Sequence, residues 1–401
     1  MDDATFERAR ALFFEGNALL QAGDWQAAEA RFEASLALVP GRASTLLNLG
    51  AARVAGGRQA AALSVLEQAL EVAPADLDAW SYKAAALAGL GRHAEALACH
   101  DRVLGSAPER APNWLRRGQA LQALERPAEA LDAYARALTL DPTLAPAWSQ
   151  RGDILRDAGR LAEAAQAYEQ ALAHGADPVL NGYYLAATTG RGAPPSAPVQ
   201  YVEPFFDEYA DTFEQHLVDA LDYRAPQRLV ERLAGGARHR WRSALDLGCG
   251  TGLCGPLLRP LADRLHGVDL SGRMLERARA RGVYDALVQA EIGAHLAGST
   301  ERHDLVVAAD VFIYIGDLDP VIAGAARVLD AGGTLAFTVE AAAAAATFQL
   351  LPSLRYAHGE DYLRALGRSH GFDVSLLARA PLRNDQGRPV QGLYAVWRRG
   401  A

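Results

Sequence analysis

The first half of the chain carries a repeating pattern of small, apolar and polar positions. From residue 9 to residue 178 the pattern recurs every 34 residues, and a proline closes four units at Pro40, Pro74, Pro108 and Pro142. A unit of this length predicts a pair of helices that cannot bury its apolar face alone but can do so against stacked neighbours. The small residues early in each unit are Gly16, Gly50, Ala84, Gly118 and Gly152, and the larger residues that recur later are Phe32, Leu66, His100, Tyr134 and Tyr168.

The second half shows a different pattern, in which short apolar runs alternate with amphipathic stretches. This alternation predicts an α/β domain whose first strands run parallel. The last two runs, 372–377 and 392–397, flank a turn at 384–387 and predict an antiparallel hairpin. The alanine run at 341–346 predicts a helix from its propensity alone. The earlier predicted strands cover 244–247, 265–268, 286–290, 303–308 and 332–340.

The 34-residue pattern resembles the tetratricopeptide (TPR) repeat, which implies an all-α solenoid of about five repeats over residues 1–178. In the fifth unit Ala176 stands where the closing proline is expected, which indicates the end of the array. Residues 179–200 are then predicted to hold a capping helix, over 179–189, and a linker rich in glycine and proline.

TPR arrays present a concave groove lined mainly by the first helix of each unit, so the resemblance implies a peptide or protein partner. Polar side chains of this kind can hold a peptide backbone or pair with its carboxylates. The alternative is that they form an ordinary solvated helix face. The four candidate groove residues share one position of the repeat: Asn48, Tyr82, Arg116 and Gln150.

A glycine-rich stretch follows the first predicted strand of the second half. Gly248, Gly250 and Gly252 fall on alternate positions before an apolar helix start, as in a nucleotide-cofactor site. Residues 250–255 also satisfy G-x-G-x-x-G, the dinucleotide fingerprint, which keeps NAD as an alternative. Asp246 argues against a pyrophosphate at this place, because its carboxylate would repel one, whereas an amino group and a sulfonium would be attracted.

The D-x-G-x-G-x-G arrangement resembles motif I of the class I methyltransferases that use S-adenosylmethionine (SAM) and release S-adenosylhomocysteine (SAH). The resemblance covers residues 201–401 and implies a Rossmann-like domain with a mixed seven-stranded sheet and an antiparallel edge hairpin. The whole chain is thus predicted to be an N-terminal TPR solenoid plus a C-terminal α/β methyltransferase domain. Asp246, Gly248, Gly250 and Gly252 are the predicted cofactor loop.

Further cofactor contacts are expected along the carboxyl edge of the sheet. Asp269 lies 19 residues beyond Gly250, where a carboxylate can accept both ribose hydroxyls. In the family, an acidic residue after the third strand receives the adenine amino group, and Glu291 stands there. The other predicted cofactor contacts are Leu270, Met274, Ile292, Asp310 and Tyr209.

Residues 201–224 resemble the segment that closes over SAM in small-molecule methyltransferases. By that resemblance Tyr209 faces the cofactor and His216 faces the acceptor. Asp310, His358 and His216 are the candidate bases, since hydroxyl acceptors usually need one. Tyr314, near Asp310, is a candidate acceptor contact. The chain lacks the N-P-P-Y and D-P-P-Y signatures of nucleobase and amide methylation.

Composition bears on the binding partners and the cellular compartment, and it leaves the predicted methyltransferase function unchanged. The formal net charge of -8 gives no reason to expect nucleic acid or an anionic membrane as a partner. The three cysteines suggest neither a metal site nor a disulfide framework, which suits a reducing compartment. With no signal-peptide pattern and no long apolar run, a cytoplasmic protein is expected.

Three functions remain open at this point. The first is methylation of a peptide or protein side chain, or of a carrier-bound acceptor, that the TPR groove docks. The second is a small-molecule O- or N-methyltransferase whose TPR array serves assembly or dimerisation. The third is a non-catalytic SAM-binding scaffold, against which Asp246, the glycines and Asp269 argue. The acceptor and the oligomeric state stay open.

Overall fold

The computed structural model describes residues 2–215, 223–234, 240–343, 346–385 and 387–400. The chain divides into two compact units. The first contains residues 1–158 and 166–176, and the second contains residues 159–165 and 177–401.

Helices paired within each repeat build the first half, which confirms the predicted all-α array. The small and apolar positions of the sequence pattern are the buried ones along these helices. The helices are α1 (Asp3–Gln21), α2 (Trp25–Leu38), α3 (Ala43–Ala55), α4 (Gln59–Val72), α5 (Leu77–Gly89), α6 (His93–Ser106), α7 (Ala111–Ala123), α8 (Pro127–Leu140), α9 (Ala145–Asp157) and α10 (Leu161–Ala173).

Close packing between paired helices explains the small residue early in each unit. A Cβ on Gly118 of α7 would lie 2.4 Å from the ring of Tyr134 in α8, and one on Gly152 would lie 2.6 Å from the ring of Tyr168. Contacts this short are not tolerated in a close-packed interior. The rings of Tyr134 and Tyr168 therefore require glycine at these positions of the first helix.

The closing prolines are held by the tryptophans of the next unit. The indole N–H of Trp80 donates to the carbonyl of Pro74 at 2.9 Å. Trp114 and Trp148 make the equivalent hydrogen bonds to the carbonyls of Pro108 and Pro142. Each bond spans six residues and fixes the turn between consecutive repeats.

Two glycine substitutions in the array are expected to change stability in opposite directions. Gly118→Ala forces a methyl group into the Tyr134 ring and should lower the free energy of unfolding by about 1–3 kcal/mol. Gly105→Ala in α6, where nothing lies within 4 Å of the added Cβ, should raise it by about 0.5–1 kcal/mol through helix propensity. Urea denaturation followed by circular dichroism measures both; a Gly118→Ala variant as stable as the wild type would contradict this packing.

The second unit is built on one mixed sheet. Its strand order is β3-β2-β1-β4-β5-β7-β6, with β9 antiparallel to β5 and β8 antiparallel to β9. The predicted Rossmann-like sheet with an antiparallel edge pair is confirmed, with nine strands where seven were predicted. The strands are β1 (Trp241–Leu247), β2 (Ala262–Asp269), β3 (Ala286–Gln289), β4 (His303–Ala308), β5 (Leu329–Ala341), β6 (Phe348–Leu350), β7 (Tyr356–His358), β8 (Phe372–Asp385) and β9 (Arg388–Arg399).

Helices pack along this sheet and bury two apolar clusters. The parallel strands β1 and β4 are buried almost throughout, as expected for strands covered on both faces. The helices of this unit are α11 (Pro178–Thr189), α12 (Val199–Tyr209), α13 (Phe213–Gln215), α14 (Ala225–Ala234), α15 (Gly255–Leu258), α16 (Gly272–Ala280), α17 (Ile292–Gly298), α18 (Asp319–Val328) and α19 (Glu360–Ser369).

The segment predicted as a cap and linker differs from expectation. Helix α11 forms, but Tyr183 packs with Leu354 and Tyr356 of the second unit and donates its hydroxyl to the Leu354 carbonyl at 2.7 Å. The following residues are not a free linker, because the Pro195 carbonyl accepts hydrogen bonds from Gly316 and Asp317. The apolar face of α11 is therefore buried against the sheet domain.

The alanine run at 341–346 also differs from its prediction, which was based on helix propensity. Ala341 is the last residue of β5, and the described residues 342 and 343 are not helical. Pairing of β5 with β7 and β9 outweighs helix propensity here.

Within the described residues, no helix combines the length and apolarity that crossing a bilayer would need.

Candidate functional site

A cavity of about 430 Å³ lies at the carboxyl edge of the parallel strands of the second unit. Its wall comes from the glycine loop after β1, the ends of β2, β3 and β4, helix α12, and two arginines. Open α/β sheets bind their ligands at this edge. The predicted site residues that line it are Tyr209, Gly248, Gly250, Asp269, Leu270, Met274, Glu291, Ile292, Asp310 and Tyr314.

All three glycines of the loop have left-handed backbone conformations. The φ angles of Gly248, Gly250 and Gly252 are +62°, +55° and +86°. Residues with a Cβ rarely adopt such angles, so the alternation of glycines reflects the backbone path of the turn. At Gly248 a Cβ would also lie 2.5 Å from Val311, so the loop packs closely against the segment after β4.

Gly250 differs from the other two because it faces open space. The nearest atom to a Cβ placed there belongs to Phe213, at 4.0 Å. The loop backbone is therefore bare where it borders the cavity, and a side chain would fill part of that space. This geometry fits a cofactor that lies directly against the chain, as predicted for SAM.

Asp269, the last residue of β2, holds the glycine loop in place. Its carboxylate accepts hydrogen bonds from the backbone N–H groups of Gly250 at 2.8 Å and Ser271 at 2.9 Å. Burial raises the pKa of this carboxyl, and the backbone N–H groups of Ser271 and Gly250 act in the opposite direction. Each oxygen retains acceptor capacity for a hydroxyl group from the cavity.

Asp246 is placed differently from the predicted cofactor contact. The described cavity wall does not include it; its carboxyl is buried and accepts a hydrogen bond from the Tyr284 hydroxyl at 2.7 Å. The Tyr284 ring in turn lies 3.0 Å from a Cβ placed on Gly252. Asp246 therefore supports the glycine loop from behind, through Tyr284.

The carboxyl of Asp246 is expected to make stability depend on pH. Burial raises its pKa to about 7 against an ordinary value of 3.8, although Tyr284 lowers it. Because the pKa is raised in the folded state, the wild type should lose stability as pH rises from 4 to 7 and level off above. Asp246→Asn removes this loss, so its stability advantage should grow by about 2–4 kcal/mol over that range.

Urea denaturation at pH 4.5 and pH 8 measures this effect, with Asp263→Asn as the control. Asp263 lies on the neighbouring strand β2 with an exposed side chain. An Asp246→Asn advantage that is the same at both pH values would contradict a buried, titrating carboxyl.

The residues predicted to surround adenine lie together on the wall. Leu270, Met274 and Ile292 contribute apolar surface, and the Ser271 hydroxyl caps the helix that carries Met274. Glu291 borders the same region, but its two carboxylate oxygens cap α17 by accepting from the N–H groups of Gly293 and Ala294. The hydrogen bond from adenine to Glu291 stays a prediction.

Asp310 belongs to a buried charge network. Both of its carboxylate oxygens accept from one nitrogen of Arg383, at 2.7 and 2.9 Å, and another nitrogen of Arg383 pairs with Glu340. Burial lowers the pKa of Arg383, but the carboxylates of Asp310 and Glu340 outweigh it and the net pKa is raised. Both carboxylate oxygens of Asp310, through which it would act as a general base, are therefore already hydrogen-bonded to Arg383.

The backbone of Asp310 is also unusual. Its φ angle is +59°, which is uncommon for a residue with a Cβ. Its N–H donates to the Thr338 hydroxyl at 2.7 Å, and its side chain is fixed by Arg383. Surrounding contacts therefore hold a costly conformation at the end of β4, as is common where side chains are placed for function.

Of the two histidines predicted as bases, His358 is the one that the structure describes. His358 is fully buried at the end of β7, and its Nε2 hydrogen-bonds the Gly316 carbonyl at 3.0 Å. Burial lowers its pKa to about 4, so it is neutral. It lies outside the described cavity wall, which corrects the prediction of a catalytic role. His216 lies outside the described residues.

Aromatic residues of the predicted closing segment cover the cavity. The ring centroid of Phe206 in α12 lies 5.4 Å from that of Tyr314 and 6.0 Å from that of Phe213. The ring centroids of Tyr209 and Phe213 lie 5.3 Å apart. Burial raises the pKa of Tyr209 and of Tyr314. These rings form an apolar cover in which the hydroxyls of Tyr209 and Tyr314 stay protonated at neutral pH.

Hydrogen bonds and ion pairs also hold the described part of the predicted closing segment (201–224) against α16 and the residue before it. Asp207 accepts a hydrogen bond from Ser271, and Asp211 pairs with Arg273 and Arg277 of α16. Hydrogen bonds from Arg277 and then Arg273 lower the pKa of Asp211. These pairs tie the segment before the sheet to the helix that follows Asp269.

The candidate groove residues occupy one position of successive first helices in the array. Asn48 donates to Asn17 at 2.6 Å, and Arg116 donates to Gln119 at 3.0 Å. Tyr82 is 39% exposed and Gln150 is half-buried. Phe14, which precedes Asn48 by one repeat, is 60% exposed and was not among the predicted groove residues.

Sequence reasoning also missed both arginines of the cavity. Arg355 and Arg383 line it, and Glu340 pairs with Arg383. An irregularity in the pairing of β8 with β9 between Pro381 and Arg383 disrupts the alternation of faces, so strand periodicity does not show that Arg383 is buried.

Family comparisons match both halves. A family described as "Methyltransferase domain" matches residues 245–337, and two families described as "Tetratricopeptide repeat" match residues 7–75, 47–111 and 115–179. The chain carries TPR repeats followed by a methyltransferase domain. The methyltransferase class and SAM as its cofactor, both predicted from the sequence, agree with this match.

Two relatives each match part of the chain. A biotin biosynthesis bifunctional protein BioCD from Bordetella avium is 34% identical over 147 residues, which cover 35% of this chain and 30% of that protein. A malonyl-[acyl-carrier protein] O-methyltransferase from Enterobacter lignolyticus is 32% identical over 163 residues, covering 41% of this chain and 60% of that protein. The chain thus spans less than two thirds of the length of either.

Among solved structures, magnesium protoporphyrin IX methyltransferase from Synechocystis PCC 6803, with bound SAH, is similar to part of the chain. It has a TM-score of 0.40 and 18% identity, and the match covers 50% of this chain and 99% of that chain.

Proposed function

We propose that the protein is a SAM-dependent methyltransferase whose acceptor is presented by a protein, as a side chain or as a carrier-bound group, that the TPR array docks. The observation that carries the proposal is the cavity at the carboxyl edge, with its bare glycine backbone and the carboxylate of Asp269. When bound, SAM would supply a methyl group already activated by its sulfonium.

The residues of the domain would bind and align rather than create an electrophile. Gly248 and Gly250 would let the cofactor lie against the backbone, and Asp269 would accept its ribose hydroxyls. The rings of Phe206 and Tyr209 would exclude water. Alignment of acceptor, methyl and sulfur accounts for much of the rate that such a site can provide.

Two observations favour a protein-borne acceptor over a free small molecule. The relatives named as acting on malonyl-acyl carrier protein resemble the domain, and Phe14 and Tyr82 expose aromatic surface in the candidate groove row. Exposed aromatic residues in a shared row are typical anchors for a partner. In the second candidate, a small-molecule enzyme with the array as an assembly module, this row would instead contact another copy of the chain.

Fluorescence anisotropy with labelled acyl carrier protein tests the docking. The full chain should bind it with micromolar affinity, and Phe14→Ala with Tyr82→Ala should weaken binding at least tenfold. Val72→Ala with Leu90→Ala is the matched control, because both residues are exposed and lie outside that row. Equal binding by both double variants, or no binding, would contradict a carrier-bound acceptor docked by the groove.

A further inference from the structure

The two arginines of the cavity wall differ in how their charges are balanced. Arg383 is almost fully buried and pairs with both Asp310 and Glu340. Arg355 contacts the hydroxyl of Tyr314, and its one ion pair among the described residues is with Asp385, at 3.8 Å. That distance is too long for a hydrogen bond.

Arg355 therefore brings a cation with donor capacity to an apolar cavity. A guanidinium has five N–H donors in a planar fork, which suits two parallel hydrogen bonds to a carboxylate. Burial and the neighbouring Arg383 lower its pKa, but Tyr314, Glu340 and Asp310 outweigh them, so Arg355 keeps its charge. A cation placed this way is suited to bind an anionic group.

The carboxylates that line the cavity are already engaged. Asp269 accepts from the backbone of Gly250 and Ser271, and Asp310 accepts from Arg383. Glu291 caps α17 through both oxygens. Among the described wall residues there is no histidine, so this part of the site offers no free general base.

An acceptor that must lose a proton in the reaction would need such a base. A carboxylic acid is already ionised at neutral pH, because its pKa is near 4. The cation of Arg355 and the lack of a free base in the described wall therefore both favour a carboxylate as the acceptor group.

We propose that the acceptor group is a carboxylate that Arg355 holds, and that the product is its methyl ester; this rests on the proposed methyltransferase function. Arg355 would hold the carboxylate by hydrogen bonds to its oxygens, and a remaining lone pair of one oxygen would attack the methyl carbon. A carbon–oxygen bond forms, the carbon–sulfur bond breaks, and its electron pair stays on sulfur. No proton is transferred in this step.

Calorimetric titration of the SAH-loaded full chain with malonate tests the inference, with malonamide as the neutral analogue of the same shape. Malonate should bind at least tenfold more tightly than malonamide. Arg355→Met should weaken malonate binding at least tenfold while SAH still binds, and Arg355→Lys should restore part of the affinity. Arg364→Met, which changes an arginine paired with Glu360, should behave as the wild type.

Equal binding of malonate and malonamide would overturn the inference, and so would an Arg355→Met variant that binds malonate like the wild type. No saturable malonate binding to a chain that does bind SAH would also overturn it, while leaving the methyltransferase function in place. Failure to bind SAH would instead overturn the proposed function, and the acceptor inference with it.

Discussion

Replacing Asp269 by alanine is expected to weaken SAH binding about a hundredfold, or about 2.7 kcal/mol. The variant loses the acceptor for the N–H groups of Gly250 and Ser271 and the proposed partner of the ribose hydroxyls. Loop geometry and a direct contact are thus lost together. Calorimetric titration with SAH measures the change.

Two further variants separate these effects. Asp269→Asn keeps one carbonyl oxygen and should retain more affinity than Asp269→Ala. Asp263→Ala, on the same strand but exposed, should bind SAH like the wild type. If Asp269→Ala binds SAH as tightly as Asp263→Ala, the ribose assignment is wrong.

Removing Arg383 is expected to have the largest effect on stability. Arg383→Met leaves Asp310 and Glu340 as buried carboxylates without their cation. Breaking a buried ion pair from one side costs about 3–5 kcal/mol, because the remaining charge is desolvated and unpaired. The free energy of unfolding of the second unit should fall by that amount. Urea denaturation measures it, and the transition that belongs to the second unit is the one that shifts when SAH is added.

The matched control is Arg398→Met, on the neighbouring strand β9, where the arginine is exposed. Adding Glu340→Gln to Arg383→Met should recover part of the loss, since one uncompensated charge is removed. An Arg383→Met variant as stable as Arg398→Met would contradict a buried network.

Repetition made the first half predictable from the sequence. The spacing of Gly118 and Tyr134 is a packing contact, and the same spacing appears in unit after unit. Each repeat therefore supplies independent evidence for the same local structure. Phe14 was missed because it belongs to the exposed surface, where the repeat places no constraint on residue type.

In the second half, residues fixed by the local chain were predicted better than those fixed by distant contacts. The turn at Gly248, Gly250 and Gly252 follows from local backbone needs, and its positive φ angles are found. Asp269 follows from its distance along the βαβ unit. Asp246 was expected at the cofactor, whereas its position behind the loop depends on Tyr284, 38 residues later.

Arg383 and His358 show what sequence spacing does not provide. Arg383 reaches Asp310 across 73 residues through the edge hairpin. His358 was a plausible base by residue type, yet β7 buries it against Gly316. Tertiary pairing decides both outcomes, and one sequence holds no periodic signal for either.

The central claim is that the glycine loop binds SAM, and calorimetric titration of the full chain with SAH, with NAD in parallel, tests it most directly. We predict micromolar binding of SAH and none of NAD. Binding of NAD alone would show that residues 250–255 form a dinucleotide site and would contradict the account. Binding of neither would contradict it as well.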